Sequence, residues 1–471
     1  MAAMDEKQTN ILERFLGLFT EVHGGEGVTV ILLILNLFIL LTAYLVIKTV
    51  REPLILTGGG AEIKSYAAAG HAFLLLLVVP LYGSLASKVN RIQLINRVTL
   101  FFISNLIAFY ILGQLQVPLG VFFFLWVGIF NLLLVAQFWS FANDIYTQEQ
   151  GKRLFAIVAF GGSLGGLLGP LVADWLFRPL GPYLLMLVAA GLLGIALFIT
   201  NIVNAREKRL SQAGVKGDDA EKPLAKAGGF RLVVGQRYLL LIALLMIVAG
   251  LVKTTGEFIL SKKVTEEARQ AIVKEEHQVA AVDVAARLTT AQRDKVEQDF
   301  IGHFYGNFFF WISVFDVFTQ LFLVSRIFKC VGVSGALFFL PVIALGSYSL
   351  IALVPVLSYI RIAKILENGT DYSLQNTTRQ ALFLPTSREA KYKAKAAIDT
   401  FFVRFGDVLS AGVVLTGTYL LLDTAAFAAI NVAVVVVWLL LVTVIQREYK
   451  KVTLANVNSG MSLFMTVEGQ K

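Results

Sequence analysis

Charge is scarce in this sequence. Lys, Arg, Asp and Glu make up 15% of its 471 residues, against about 25% in a soluble domain. Cysteine is nearly absent: Cys330 stands alone, which excludes an internal disulfide and any cysteine-built metal cluster. The four histidines, His23, His71, His277 and His303, have no metal-ligand spacing. There is no nucleophile elbow, no pair of catalytic carboxylates and no zinc signature, so the residues point away from an enzyme and imply no cofactor. The N-terminus has no basic region ahead of a short apolar core and is too acidic for a transit peptide. Its ILERFLGLF stretch fits a short interfacial helix.

Apolar residues are abundant, at 57% with a mean hydropathy of +0.73. They fall in repeated runs of about 17–25 residues, the length that a bilayer of roughly 30 Å requires. A membrane barrel would show alternating segments of about ten residues instead. The pattern predicts an all-α polytopic membrane protein of twelve transmembrane helices in two six-helix halves. The expected divisions are an N-terminal segment 1–27, a first half 28–204, a linker 205–235, a second half 236–446 and a tail 447–471. Counted to Arg237, the linker has eight Lys/Arg against four acids. Lys and Arg recur after the even-numbered spans, which places both termini in the cytoplasm and accounts for most of the net charge of +9 without nucleic acid. The charged stretch 264–298 breaks the pattern. From Lys262 to Asp299 it has seven basic and eight acidic residues, and it reads as an external helical insertion.

The halves resemble each other. Lys48-Thr49-Val50-Arg51-Glu52 in the first span meets Lys253-Thr254-Thr255-Gly256-Glu257 in the seventh, both KT-x-x-E. Ser87-Lys88 at the end of span two meets Ser325-Arg326 at the end of span eight. Parallel six-helix repeats are the plan of major facilitator transporters, which bind substrate between the halves. The stretch Gly83-Ser84-Leu85-Ala86-Ser87-Lys88-Val89-Asn90-Arg91 resembles their loop motif G-x-L-A-D-R/K-x-G-R, with Ser87 and Asn90 departing from it. Gly83, Lys88 and Arg91 are its marked positions. A second glycine run, Gly161-Gly162-Ser163-Leu164-Gly165-Gly166-Leu167-Leu168-Gly169, lacks the closing Lys-Ser/Thr of a phosphate loop. Its GxxxG spacing fits close helix packing.

Several ionisable residues fall inside the predicted spans. Arg361, Lys364 and Glu367 sit three apart on one face of span ten, followed by Asp371 and Arg379. Asp316, Asp399, Arg404 and Asp407 add to them. A charge near the bilayer centre costs at least about 2.5–3.5 kcal/mol. Three readings stand for these residues: a wet cavity, snorkelling of long side chains to the interface, or internal ion pairs such as Lys48/Glu52 and Lys253/Glu257 at i, i+4. In the cavity reading, Lys48, Arg51, Lys253, Arg361, Lys364 and Arg379 outnumber Glu52, Glu257 and Glu367, which suits an anionic small-molecule substrate.

The ordered stretches carry a family resemblance over most of the chain. Arg51-Glu52-Pro53-Leu54-Ile55-Leu56-Thr57, then Ala61-Glu62-Ile63, resembles K-D-x-L-V-V-T…A-E-I of the ATP/ADP translocases of plastids and obligate intracellular bacteria. Phe138-Trp139-Ser140-Phe141-Ala142-Asn143, with Lys152-Arg153, resembles F-W-G-F-A-N…K-R. Tyr372-Ser373-Leu374, Arg379 and Pro385 resemble Y-S-L…K-E-M…I-P, and Lys393-Ala394-Lys395-Ala396-Ala397-Ile398-Asp399 resembles K-G-K-A-A-I-D.

The resemblance implies a facilitator-type nucleotide exchanger, often of ATP for ADP plus phosphate. By position, Arg51 stands at the family's functional lysine of span one and Glu257 at its acidic position of span seven. Arg379-Gln380 stands where the family has Lys-Glu, Asp407 where the exchangers have a lysine, and residues 117–137 contain no acid. The expected substrate-binding set is Lys48, Arg51, Lys253, Glu257, Arg361, Lys364 and Arg379. Glu52, Glu367, Asp399 and Asp407 are expected to gate or couple. The expected setting is a monomer in a bacterial cytoplasmic membrane, its partners the lipid bilayer and a nucleotide or related organic anion. A proton- or sodium-coupled carrier of another solute and a non-transporting receptor are the alternatives.

Overall fold

The computed structural model describes residues 13, 16, 22–86, 89–146, 148–211, 229–282, 288–387, 390 and 394–468. Among these the regular structure is helical. The helices are α1 Gly27–Ala86, α2 Arg91–Gln114, α3 Gly120–Ile145, α4 Gln148–Ser211, α5 Gly229–Gly235, α6 Arg237–Val282 and α7 Thr290–Phe318. A π turn, Thr319–Leu323, leads to α8 Val324–Ala336, then α9 Phe339–Leu353 and α10 Leu357–Thr370. A second π turn, Asp371–Gln375, runs into α11 Asn376–Leu382. Short α12 Lys395–Ala397 and a third π turn, Ile398–Phe402, precede α13 Val403–Tyr419 and α14 Thr424–Glu468. Seven of the helical runs are long and apolar enough to cross a membrane. Large apolar side chains such as Phe73, Phe122, Trp175 and Phe198 are exposed on them, as expected of surfaces facing lipid. The chain is an integral membrane protein.

Three runs turn at a single glycine. Gly60, Gly181 and Gly332 adopt φ of 70°, 69° and 69° with ψ of −176°, 173° and 174°. An L side chain clashes in that region, so glycine is required. No loop separates the first two predicted spans. In the structure α1 runs through Gly58 and breaks only at Gly60. Of the stretch 264–298, residues 264–282 continue α6 and residues 290–298 begin α7, with Arg293 paired to Glu276 at 2.6 Å.

The chain forms two compact units. The first comprises Met1–Gly59, Leu74–Ala220 and Ala268–Ser313; the second comprises Gly60–Phe73, Glu221–Glu267 and Val314–Lys471. In the first, α4 lies against α1 along the glycine run. A Cβ on Gly161 would stand 2.2 Å from the Ile34 carbonyl oxygen, and one on Gly165 2.5 Å from that of Phe38. The backbones approach so closely that only glycine fits, which is what the GxxxG spacing predicts. Asn36 fastens the same two helices, donating to the Ala196 carbonyl at 2.7 Å and to Thr200 Oγ1 at 2.9 Å. Between α2 and α3 the contact is aromatic: Phe102, Phe109, Phe123, Trp126 and Phe130 stack or meet edge-on at centroid distances of 5.0–5.6 Å.

The second unit repeats the glycine device between α6 and α13. A Cβ on Gly406 would stand 2.7 Å from the Ile247 carbonyl oxygen, and one on Gly250 3.0 Å from that of Val403. Each unit therefore brings the helix carrying KT-x-x-E against a later, glycine-bearing helix.

Candidate functional site

The KT-x-x-E segment of α6 anchors a cluster of ionised side chains in the second unit. Lys253 Nζ donates to Asp371 Oδ2 at 2.6 Å and lies 4.8 Å from the centre of the Tyr372 ring. One turn along α6, Glu257 faces Lys364 of α10 at 3.5 Å and accepts a hydrogen bond from Asn368 Nδ2 at 2.9 Å. Lys364 also meets Glu367 at 3.0 Å, and the Tyr348 hydroxyl of α9 donates to Glu367 Oε2 at 2.7 Å. Lys364 is fully buried and Glu367 nearly so. A cation without solvent contact is tolerable because two carboxylates share it. Lys64, on the Gly60–Phe73 segment, donates to Ser261 Oγ at 2.8 Å, one turn beyond Glu257. Lys253 and Lys364 thus meet three carboxylates, Asp371, Glu257 and Glu367.

Local sequence explains this geometry. Gly256 occupies the register that Arg51 holds in the first repeat. A Cβ there would stand 1.9 Å from Tyr348 Oη and 2.8 Å from Lys364 Nζ. The missing side chain is the space through which Tyr348 and Lys364 reach α6. On the other side, the π turn begins at Asp371 itself. The extra residue of such a turn re-aims side chains, and π turns recur at functional sites. A cavity of about 100 Å³ opens beside the cluster, lined by Lys253, Glu367, Asp371 and Arg379 with Met246 and Trp438.

The first unit treats its copy of the motif differently. Arg51 pairs with its neighbour Glu52, which is buried, and stands 4.6 Å from the Phe124 ring centre. Lys48 lies over the Phe309 ring at 4.2 Å. Pro53 follows directly and removes the backbone bond to the Thr49 carbonyl. The carboxylate of each repeat is served by a cation, from the adjacent residue in one unit and from across the helices in the other.

The structure brings Lys253, Glu257, Lys364, Glu367 and Arg379 together. It corrects their pairing: Lys253 pairs with Asp371, and Glu257 with Lys364, in place of the i, i+4 pair read from sequence. It also corrects the charge count, because Asp371 offsets Lys253 and Asp399 offsets Arg379 at 3.8 Å and Lys395 at 3.1 Å. Asp407 accepts from Thr254 at 2.5 Å and from Arg404 at 3.2 Å. Arg361 is half-buried and lies outside the cavity lining. Of the loop motif, Arg91 pairs with Asp144, Gly83 continues α1, and Lys88 lies outside the described residues. Sequence reasoning passed over Lys64, Tyr348 and Asn368. An embedded lysine in A-E-I-K is a signal that was present; a tyrosine in an apolar run carries none. Among the described residues no cluster of His, Cys, Asp and Glu has the shape of a metal site.

Residues 119–449 match the family model described as TLC ATP/ADP transporter. The chain is 24% identical to ADP,ATP carrier protein 1 of Chlamydia trachomatis serovar D, over 93% of this chain and 91% of the relative. It is 22% identical to ADP,ATP carrier protein 3 of Rickettsia typhi, over 91% and 94%. Among solved structures, the nucleoside transporter NupG superposes with a TM-score of 0.59 at 12% identity, covering 89% of this chain and 99% of that one. A bacterial homologue of the iron transporter ferroportin in an inward-facing state gives 0.58 at 14%, covering 87% and 98%. These neighbours establish a major-facilitator-type fold.

Proposed function

The chain belongs to the TLC ATP/ADP transporter family, and from that premise we propose that it is a secondary transporter that exchanges nucleotides, ATP against ADP, by alternating access. The observation that carries this reading beyond family membership is the partly buried ion-pair cluster of Lys253, Glu257, Lys364, Glu367 and Asp371. Ionised groups within a membrane protein are costly and are kept where a polar solute passes. Lys48 and Arg51 in the first unit, and Lys253, Arg361 and Arg379 in the second, are the cations proposed to serve anion binding. Glu52, Asp371 and Asp399 hold or release those cations as the carrier turns over, while Glu257 and Glu367 hold Lys364 and Asp407 holds Arg404. In this reading the helices form twelve spans in halves 28–204 and 236–446, both termini are cytoplasmic, and a monomer works in a bacterial inner membrane. Purified protein should gain several degrees of melting temperature with millimolar ADP or ATP, since a ligand of the folded state stabilises it. No shift with any nucleotide would remove the nucleotide reading.

One observation favours a second reading, cation coupling. Asp316 of α7 sits within an apolar helix and has no ion-pair partner among the described residues. Uptake that collapses with a proton or sodium ionophore, and ignores internal nucleotide, would favour it.

A further inference from the structure

The two lysine pairs of the second unit differ in their access to water. Lys364 and Glu367 have side chains 0% and 5% exposed: Lys364 has no solvent to exchange into, and Glu367 only borders the cavity wall. Lys253 and Asp371 are 37% and 27% exposed. They also line the cavity of about 100 Å³. That volume is below the roughly 300 Å³ at which small-molecule pockets begin.

We propose that Asp371 is a tethered competitor: in the empty carrier its carboxylate occupies the anion position on Lys253, and a substrate phosphoryl group binds there by displacing it. The inference rests on the nucleotide-exchange reading and names the phosphate-binding position within it. Lys253 has one strong acceptor at 2.6 Å and the Tyr372 ring beside it. A phosphate arriving at the same ammonium replaces one charge-assisted hydrogen bond with another. Asp371 moves into water, which its exposure allows. Arg379 lines the same cavity, donating to Asn376 Oδ1 at 2.9 Å and facing Asp399 at 3.8 Å, and supplies a second cation there. Lys364 stays in place, because two carboxylates hold it and no water reaches it. Occupied by its own carboxylate, the site is neutral when empty, and binding strength is set by the difference between the two anions.

The test is ADP and inorganic phosphate binding to purified wild-type protein, Asp371→Asn and Lys253→Gln/Asp371→Asn. Asn has the shape of Asp without the charge. Asp371→Asn should bind ADP about two- to fivefold tighter than wild type, the loss of one partly exposed competing pair. The double variant should lose that gain. Melting curves give the second reading: Asp371→Asn alone melts lower, since Lys253 has lost its partner, and ADP raises its melt by more than it raises that of wild type. If wild type binds ADP and Asp371→Asn binds it equally or more weakly, or is not recovered as folded protein by ADP, the proposal falls while nucleotide exchange stands. If wild type binds no nucleotide, the functional reading fails, and phosphate decides the competitor alone: affinity equal in wild type and Asp371→Asn overturns it.

Discussion

Lys364 is the residue whose removal the structure prices most clearly. Lys364→Met keeps the length of the side chain and deletes its charge, leaving Glu367 buried beside Glu257 with no cation between them. Breaking a buried pair by removing one partner costs about 3–5 kcal/mol, because the remaining charge has neither water nor counter-ion. Glu257 is 26% exposed and accepts from Asn368, so its share is small; the loss falls on Glu367, 5% exposed. In a unit of about 150–250 residues each kcal/mol moves the melting temperature by about 2–4 °C, so the expected fall is about 6–20 °C. The assay is intrinsic-fluorescence melting in detergent, with Lys364→Met/Glu367→Gln as partner variant. The double variant is neutral at the contact, keeps the Tyr348 bond and should recover much of the loss. A single variant that melts within about 2 °C of wild type, or a double variant that melts below the single, would refute the reasoning.

Gly256→Ala places a methyl group 1.9 Å from Tyr348 Oη; it should cost about 1–3 kcal/mol in melting experiments and weaken nucleotide binding by shifting Lys364. Gly161→Ala sets a Cβ 2.2 Å from the Ile34 carbonyl oxygen, where backbone must move, and should lower the melt by a comparable amount without changing nucleotide affinity. Glu26 precedes α1 outside the spans. Burial pushes its pKa up, but Arg153, the His23 backbone N–H and Gln150 outweigh that and hold it below the usual value of 4.5. A depressed folded-state pKa contributes stability above the unfolded value that is lost as pH falls below it. Wild type should therefore lose melting temperature more steeply than Glu26→Gln as pH drops below 4.5; parallel curves would exclude this contribution.

The helical membrane class, the repeated KT-x-x-E segments and the glycine contact between α1 and α4 were legible because each is written in local spacing. A run of small residues at i, i+4 has one structural use in an apolar helix, and Gly161 and Gly165 serve it. Partner choice was not legible. Lys253 has an acid one turn away in Glu257, yet it pairs with Asp371, 118 positions along the chain. The Gly256 gap and the π turn at Asp371 decide that outcome, and neither has a periodic signature. The single break at Gly60 was hidden for a related reason: Gly58, Gly59 and Gly60 look alike in sequence.

Counterflow is the most direct test of the central claim. Proteoliposomes carrying wild-type protein are loaded with ADP and offered labelled ATP, beside Glu257→Gln and Arg51→Ala of equal folded content. Nucleotide exchange predicts ATP accumulation that requires internal ADP and is lost in both variants. Accumulation that is absent with every nucleotide tried would contradict nucleotide exchange. Exchange that persists undiminished in both variants would contradict the assignment of its site.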